Sequence, residues 1–369
     1  MFRFTNSLFT VLIIISTSLS PIYVNAQDKK DEAVEFSKCW TYAEAETGFS
    51  VIATDATTAY LSSAQAKIAA VSINSGVKLW SSELGGEIAS NLTVGDAGIF
   101  VVTNSVSNDT TKPIESTLRT LSKETGITSK STLLAAADSF KIAIDSSSVV
   151  IVSKSGDVYA FDSTTAAQKW VRKPTGGVAG EAYVGGGSIV IGTTDGKLLR
   201  LNSSTGEIDL TVGASSTPTV VRNTVDGQIV YGDSRGNVVA VDARWKFRSG
   251  AQISSIFEFN GALIVTSFDN FIYCLTRDNG GVVWKKRMAG RIADMSFTSA
   301  NTALIFTYGG DVAILAELKK GKTIGQIPLS QPSETVNIPD LTTENAVFIS
   351  NGSIYSFATK PCNSENTPS

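Results

Sequence analysis

The chain has 369 residues, 42% of them hydrophobic and 18% charged, which is a globular balance slightly poor in charge. Its 31 basic and 34 acidic residues leave a net charge of −3, too small to argue for nucleic acid or for a strongly charged ligand. There is no histidine, so the commonest general base and the commonest metal ligand are removed before any motif is considered.

Residues 1–26 (MFRFTNSLFTVLIIISTSLSPIYVNA) read as a signal peptide: a cation at Arg3, an apolar run over 8–15, Pro21 to end it, and Val24-Asn25-Ala26 at the cleavage position. The run is too short to span a bilayer, and no later segment approaches a membrane span. An exported chain, periplasmic or extracellular, is expected. No Cys stands where a lipid anchor would be attached. Residues 27–37 (QDKKDEAVEFS) are charged, lack strand alternation and read as a flexible tail.

A repeat opens at 67–80 (KIAAVSINSGVKLW): an apolar strand, an Asn-Ser-Gly turn, and a second strand ending on Trp80. The copy at 118–130 keeps Thr125-Gly126 and loses the Trp. The pattern is fullest at 155–170 (SGDVYAFDSTTAAQKW), where Asp162 and the hydroxyls of 163–165 suit a tight connection. Further copies follow at 198–210, 238–245, 271–284 and 312–325. Between them lie short apolar strands at 148–153, 187–193, 228–232, 262–267 and 303–307, each closed by hairpin residues such as Asp195-Gly196 or Asp269-Asn270. The turns recur about every 40 residues, the size of one four-stranded propeller blade, and no helical period competes. These signals predict an all-β fold: an eight-bladed β-propeller of four-stranded antiparallel blades, one domain over 38–362, with a disordered tail at 363–369. The polar stretches 104–116 and 330–340 read as insertions, although loops of this kind also carry binding functions.

The eighth blade is split between the ends of the chain. Residues 346–357 (AVFISNGSIYSF) supply two strands and then stop, while Cys39-Trp40-Thr41-Tyr42 has no strands before it. An amino-terminal strand completing the last blade would close the ring. It would also bring Cys39 and Cys362 into one blade, where they could form a disulfide, leaving Cys274 as a buried apolar thiol. The five tryptophans, Trp40, Trp80, Trp170, Trp245 and Trp284, all end such a strand. Regular placement favours blade docking over an aromatic cage for a ligand.

The pattern strand-Ala-x-Asp-x-x-Thr-Gly-x-x-x-Trp resembles the tryptophan-docking repeat of PQQ-like, quinoprotein-type eight-bladed propellers. Ala160, Asp162, Thr165 and Trp170 take its positions, with Ala166 for the Gly; Ala70, Gly76 and Trp80, then Thr205 and Gly206, then Gly280 and Trp284, match in part. The catalytic members of that family carry a vicinal Cys-Cys pair and a calcium site beside a catalytic Asp. Here no two cysteines adjoin, no haem, nucleophile-elbow or zinc motif occurs, and Asp162 and Asp242 stand where the repeat caps its own turn. The resemblance is to the shorter, non-catalytic branch of the outer-membrane assembly factor BamB. It implies no cofactor, no metal and no catalytic residue, but a monomeric scaffold for protein partners in the cell envelope. Two alternatives stay open: a cofactor-binding or degenerate quinoprotein dehydrogenase, and a polysaccharide-binding propeller.

One surface stands out as a possible partner site. Arg244, Lys246 and Arg248 close one blade and Lys285, Lys286, Arg287 and Arg291 the next, so adjacent outer strands would form a basic patch. Sequons at Asn91, Asn108, Asn202 and Asn351 matter only in a eukaryotic secretory pathway.

Overall fold

The second strands of the repeat carry near-continuous apolar runs, as in the 148–153 strand SVVIVS, buried at all six positions, and such a strand must be covered on both faces. The computed structural model shows how; it describes residues 34–44, 48–106, 113–174, 176–241, 245–299, 301–329, 331–332, 336–337, 345–358 and 362. Val149 and Ile151 face the preceding blade, whereas Val150 and Val152 face the next. Each blade is in this way a layer between two others. The core is correspondingly eight apolar clusters, one at each blade interface.

The described residues form eight antiparallel sheets, seven of them running in chain order and the eighth joining both ends of the chain. We number the blades from the one beginning at Phe49–Thr54, so that blade three spans 140–172, blade four 183–213, blade five 218–248, blade six 253–287 and blade seven 292–328. The first strands of successive blades lie against one another around a central axis, and the fourth strands form the circumference. Blade two departs from the plan, because its first strand is broken into Glu87–Ile88 and Thr93–Gly95, both paired with Gly98–Asn104. Ser90 causes the break: its Oγ accepts the Val102 amide at 2.8 Å, taking the place of a backbone carbonyl.

Blade eight closes the ring. Ser37–Tyr42 pairs antiparallel with Ser353–Ala358, so the first strand of the chain is the outer strand of the last blade. A bulge between Lys38 and Trp40 leaves Cys39 out of register, and it forms a disulfide with Cys362 at a Cα–Cα distance of 5.4 Å. Val34 bridges to Gly325 of blade seven and Phe36 packs into the seam between blades seven and eight, although charge alone places both in the tail segment. On the other side Glu44 binds Lys67 and Lys78 of blade one and accepts the Tyr42 hydroxyl. Burial opposes the ionised form, yet these partners prevail and hold Glu44 down to about 2. The sequence segments 1–33 and 363–369, the insertion residues 107–112, 330, 333–335 and 338–340, and Asn108, Asp242 and Arg244 lie outside the described residues.

Candidate functional site

Each tryptophan sits on a fourth strand, and Trp40, Trp80, Trp170 and Trp284 each follow a bulge by one residue; every ring leaves its own blade to cover the next. The target is always the glycine of the turn between that blade's third and fourth strands. A Cβ added at Gly76, Gly126, Gly206, Gly280 or Gly321 would lie 2.3–2.7 Å from a ring atom of Trp40, Trp80, Trp170, Trp245 or Trp284 respectively. Four indole N–H groups then donate to the carbonyl three residues before that glycine, at Ile73, Lys123, Arg277 and Leu318, over 2.7–2.9 Å. Trp170 is the exception, for its buried Nε1 finds no partner among the described residues. With one face on a glycine and the polar edge on a backbone carbonyl, these rings are part of the blade interfaces.

The carboxylates of the repeat are engaged in the turns. Asp162 Oδ1 accepts the amides of Thr164 and Thr165 and the Thr165 hydroxyl, at 2.8–3.1 Å. The Thr165 amide is the largest cause holding this carboxyl down to about 2. Asp233 accepts the Arg235 and Asn237 amides with one oxygen and Asn237 Nδ2 and Ser216 with the other. Cys274 is buried, and burial pushes its thiol up to about 11, which leaves it inert.

The basic residues divide into two groups. Lys246, Arg248, Lys285 and Arg287 are exposed on Trp245–Arg248 and Val282–Arg287, the fourth strands of blades five and six. Lys286, which alternation turns the other way, is half-buried and donates to Thr323 Oγ1 of blade seven at 2.8 Å. Arg291 lies in the link between blades six and seven, stacked 3.4 Å above the Phe268 ring with Tyr308 beyond it at 5.8 Å. On the same fourth strand of blade six, Val282 and Val283 are 50% and 55% exposed. Cation and apolar side chain thus share an unpaired strand edge.

The central channel was not legible from the repeat. A cavity of about 530 Å³ is walled by the first strands of blades three to seven. Arg222 crosses it, with Nε and Nη2 both donating to Ile256 O and the guanidinium between the rings of Tyr183 at 5.0 Å and Phe257 at 5.5 Å. Burial lowers its pKa, against the attraction of Tyr183, Glu181 and Glu258. An arginine directly after the buried pair Val220-Val221 of this first strand is the one sequence signal that marks this position. Of the sequons, Asn91 is spent as an inter-blade link: its amide donates to Ile142 O and accepts the Ile142 amide, both at 2.8 Å.

The family model described as outer membrane protein assembly factor BamB matches residues 115–244 and 224–361. Among solved structures, BamB from Moraxella catarrhalis superposes with a TM-score of 0.62 at 16% identity, covering 91% of this chain and 100% of that one. The computationally designed Ika8 protein superposes with a TM-score of 0.69 at 13% identity, over 87% of this chain and 99% of that one. At such identities the likeness to these structures is one of fold. No curated protein matches the chain.

Proposed function

We propose, because the chain belongs to the PQQ-like propeller family described as outer membrane protein assembly factor BamB, that it is a non-catalytic protein-binding scaffold of an exported compartment. It acts there as a monomer and assists envelope or outer-membrane protein assembly. The Cys39–Cys362 disulfide fits an oxidising compartment. The turn carboxylates support the non-catalytic reading, since Asp162 and Asp233 have their oxygens committed to backbone and side-chain donors.

One observation carries the choice of surface: the outer edges of blades five and six combine Lys246, Arg248, Lys285 and Arg287 with the exposed Val282 and Val283 on strands that lack an outer neighbour. Such an edge suits an acidic partner, which the cations attract and the valines retain. The test is affinity capture from the native envelope with wild-type protein and a Lys246→Glu/Arg248→Glu/Lys285→Glu variant of unchanged melting temperature. Barrel-assembly proteins should be recovered by the wild type and at least about tenfold less by the variant. Equal recovery by both eliminates this edge, and recovery of an enzyme's partners in their place redirects the function.

A further inference from the structure

Arg222 is a cation that the channel holds without a counter-charge. Its side chain lines the cavity of about 530 Å³, and Nε and Nη2 both donate to the one carbonyl of Ile256, at 2.9 and 2.6 Å. The opposite edge of the fork, Nη1 with the second hydrogen of Nη2, is left unused. Nη1 has no partner among the described residues, and it is not sealed from solvent as the unpartnered Nε of Arg277 is. Two carboxylates act on the guanidinium, Glu181 and Glu258, but each is paired elsewhere, with Lys141 Nζ at 2.8 Å and Arg277 Nη1 at 2.9 Å. A charge this enclosed is ordinarily paired, so the position calls for an anion.

The other walls set how many charges that anion carries and what it is attached to. Lys141, the second cation of the lining, is spent on Glu181, and Asp294 adds a carboxylate to the wall. A polyanion would therefore find one counter-charge and repulsion beyond it, which favours a single anionic group. Next to the guanidinium the lining is apolar: Phe257, with Phe297 packed edge-on against it at 4.9 Å, and then Met295, Val184 and Ala143. An inorganic anion would leave these side chains in water, whereas a carboxylate on an apolar body covers them. The free edge of the fork matches the two oxygens of a carboxylate, and the rings of Tyr183 and Phe257 on either side hold the guanidinium in place to receive it.

We propose that the channel cavity binds a small monocarboxylate with an alkyl or aryl body, its carboxylate on Arg222 and its body against Phe257 and Phe297. The site is separate from the charged edge of blades five and six, and capture of protein partners by that edge is a separate readout, so either can fail without the other. Hexanoate, benzoate and 3-phenylpropanoate, each titrated into the millimolar range and followed by saturation-transfer NMR, test it directly. Saturable binding of at least one is expected, with the corresponding amide bound at least about tenfold more weakly. Arg222→Met keeps an unbranched side chain without the charge and should weaken the acid by a similar factor; should that variant not fold, the comparison of acid with amide on the wild type decides. The Lys246→Glu/Arg248→Glu/Lys285→Glu variant should bind the acid as the wild type does. The proposal is overturned by the absence of saturable binding for all three acids, by an amide that binds as tightly as its acid, by unchanged affinity in folded Arg222→Met, or by loss of binding in the edge variant.

Discussion

Gly126 meets two demands at once. Its φ of +70° is one that side chains with a Cβ rarely adopt, and a Cβ there would come 2.3 Å from Cζ3 of Trp80, whose indole N–H is bonded to Lys123 O at 2.7 Å. Gly196 meets only the first, with a φ of +78° and nothing within 4 Å of an added Cβ. Alanine at Gly196 should therefore cost about 1 kcal/mol, the left-handed conformation alone. At Gly126 the ring must also be displaced, and we expect about 3–4 kcal/mol in total. Urea unfolding of the two variants separates these contributions, and equal losses at both positions would show that the ring contact adds nothing.

At the scale of the element, tryptophan and glycine are used as a pair. Blade two carries Lys130 at the position where five other fourth strands carry Trp, and the turn it faces has Ala166 at a φ of 51° where the five turns covered by a ring have glycine. Lys130 Nζ reaches only the Thr165 carbonyl, at 3.3 Å. Where no ring arrives, no glycine is needed to receive it. Lys130→Trp alone should destabilise by collision with the Ala166 Cβ, and Ala166→Gly alone should change little, whereas the double variant should be more stable than their sum by about 1–2 kcal/mol. A double-mutant cycle with zero coupling would refute the pairing. Blade seven solves the same problem differently: Gly325 holds the Trp position, and the Val34 carbonyl and the Phe36 ring occupy the space its missing side chain leaves. Repetition is what made the fold legible, since turn glycines and docking tryptophans recur at a fixed spacing, and the split eighth blade and the pairing of Cys39 with Cys362 follow from closure. The sites were not legible for the complementary reason. Arg222 acquires its meaning from Ile256 and Phe257 in the next blade, contacts that no local pattern encodes. Strand alternation does place Lys286 opposite Lys285 and Arg287, so the division of the basic run could have been read from its spacing.

For the whole molecule the decisive feature is that the ring has one joint. Seven blades are continuous in sequence, so the ring can come apart without breaking any of these seven where Ser37–Tyr42 meets Ser353–Ala358 in blade eight. That joint is held by the strand pairing, by Trp40 on Gly76, by Glu44 on the two lysines of blade one, and by the Cys39–Cys362 bond across a sequence separation of 323 residues. Treated as loss of chain entropy in the unfolded state, a loop of that size is worth about 6 kcal/mol, and native disulfides commonly deliver somewhat less. We expect Cys39→Ser/Cys362→Ser to lose about 4 kcal/mol and to lower the melting temperature by roughly 6 °C. The propeller should remain folded at room temperature, because the other contacts of the joint are intact. Reduction of the wild type should reproduce the loss, and Cys274→Ser should respond to reductant as the wild type does. If reduced and oxidised wild-type protein melt together, the joint is held by packing alone, and the ring is closed by the strand rather than by the bond.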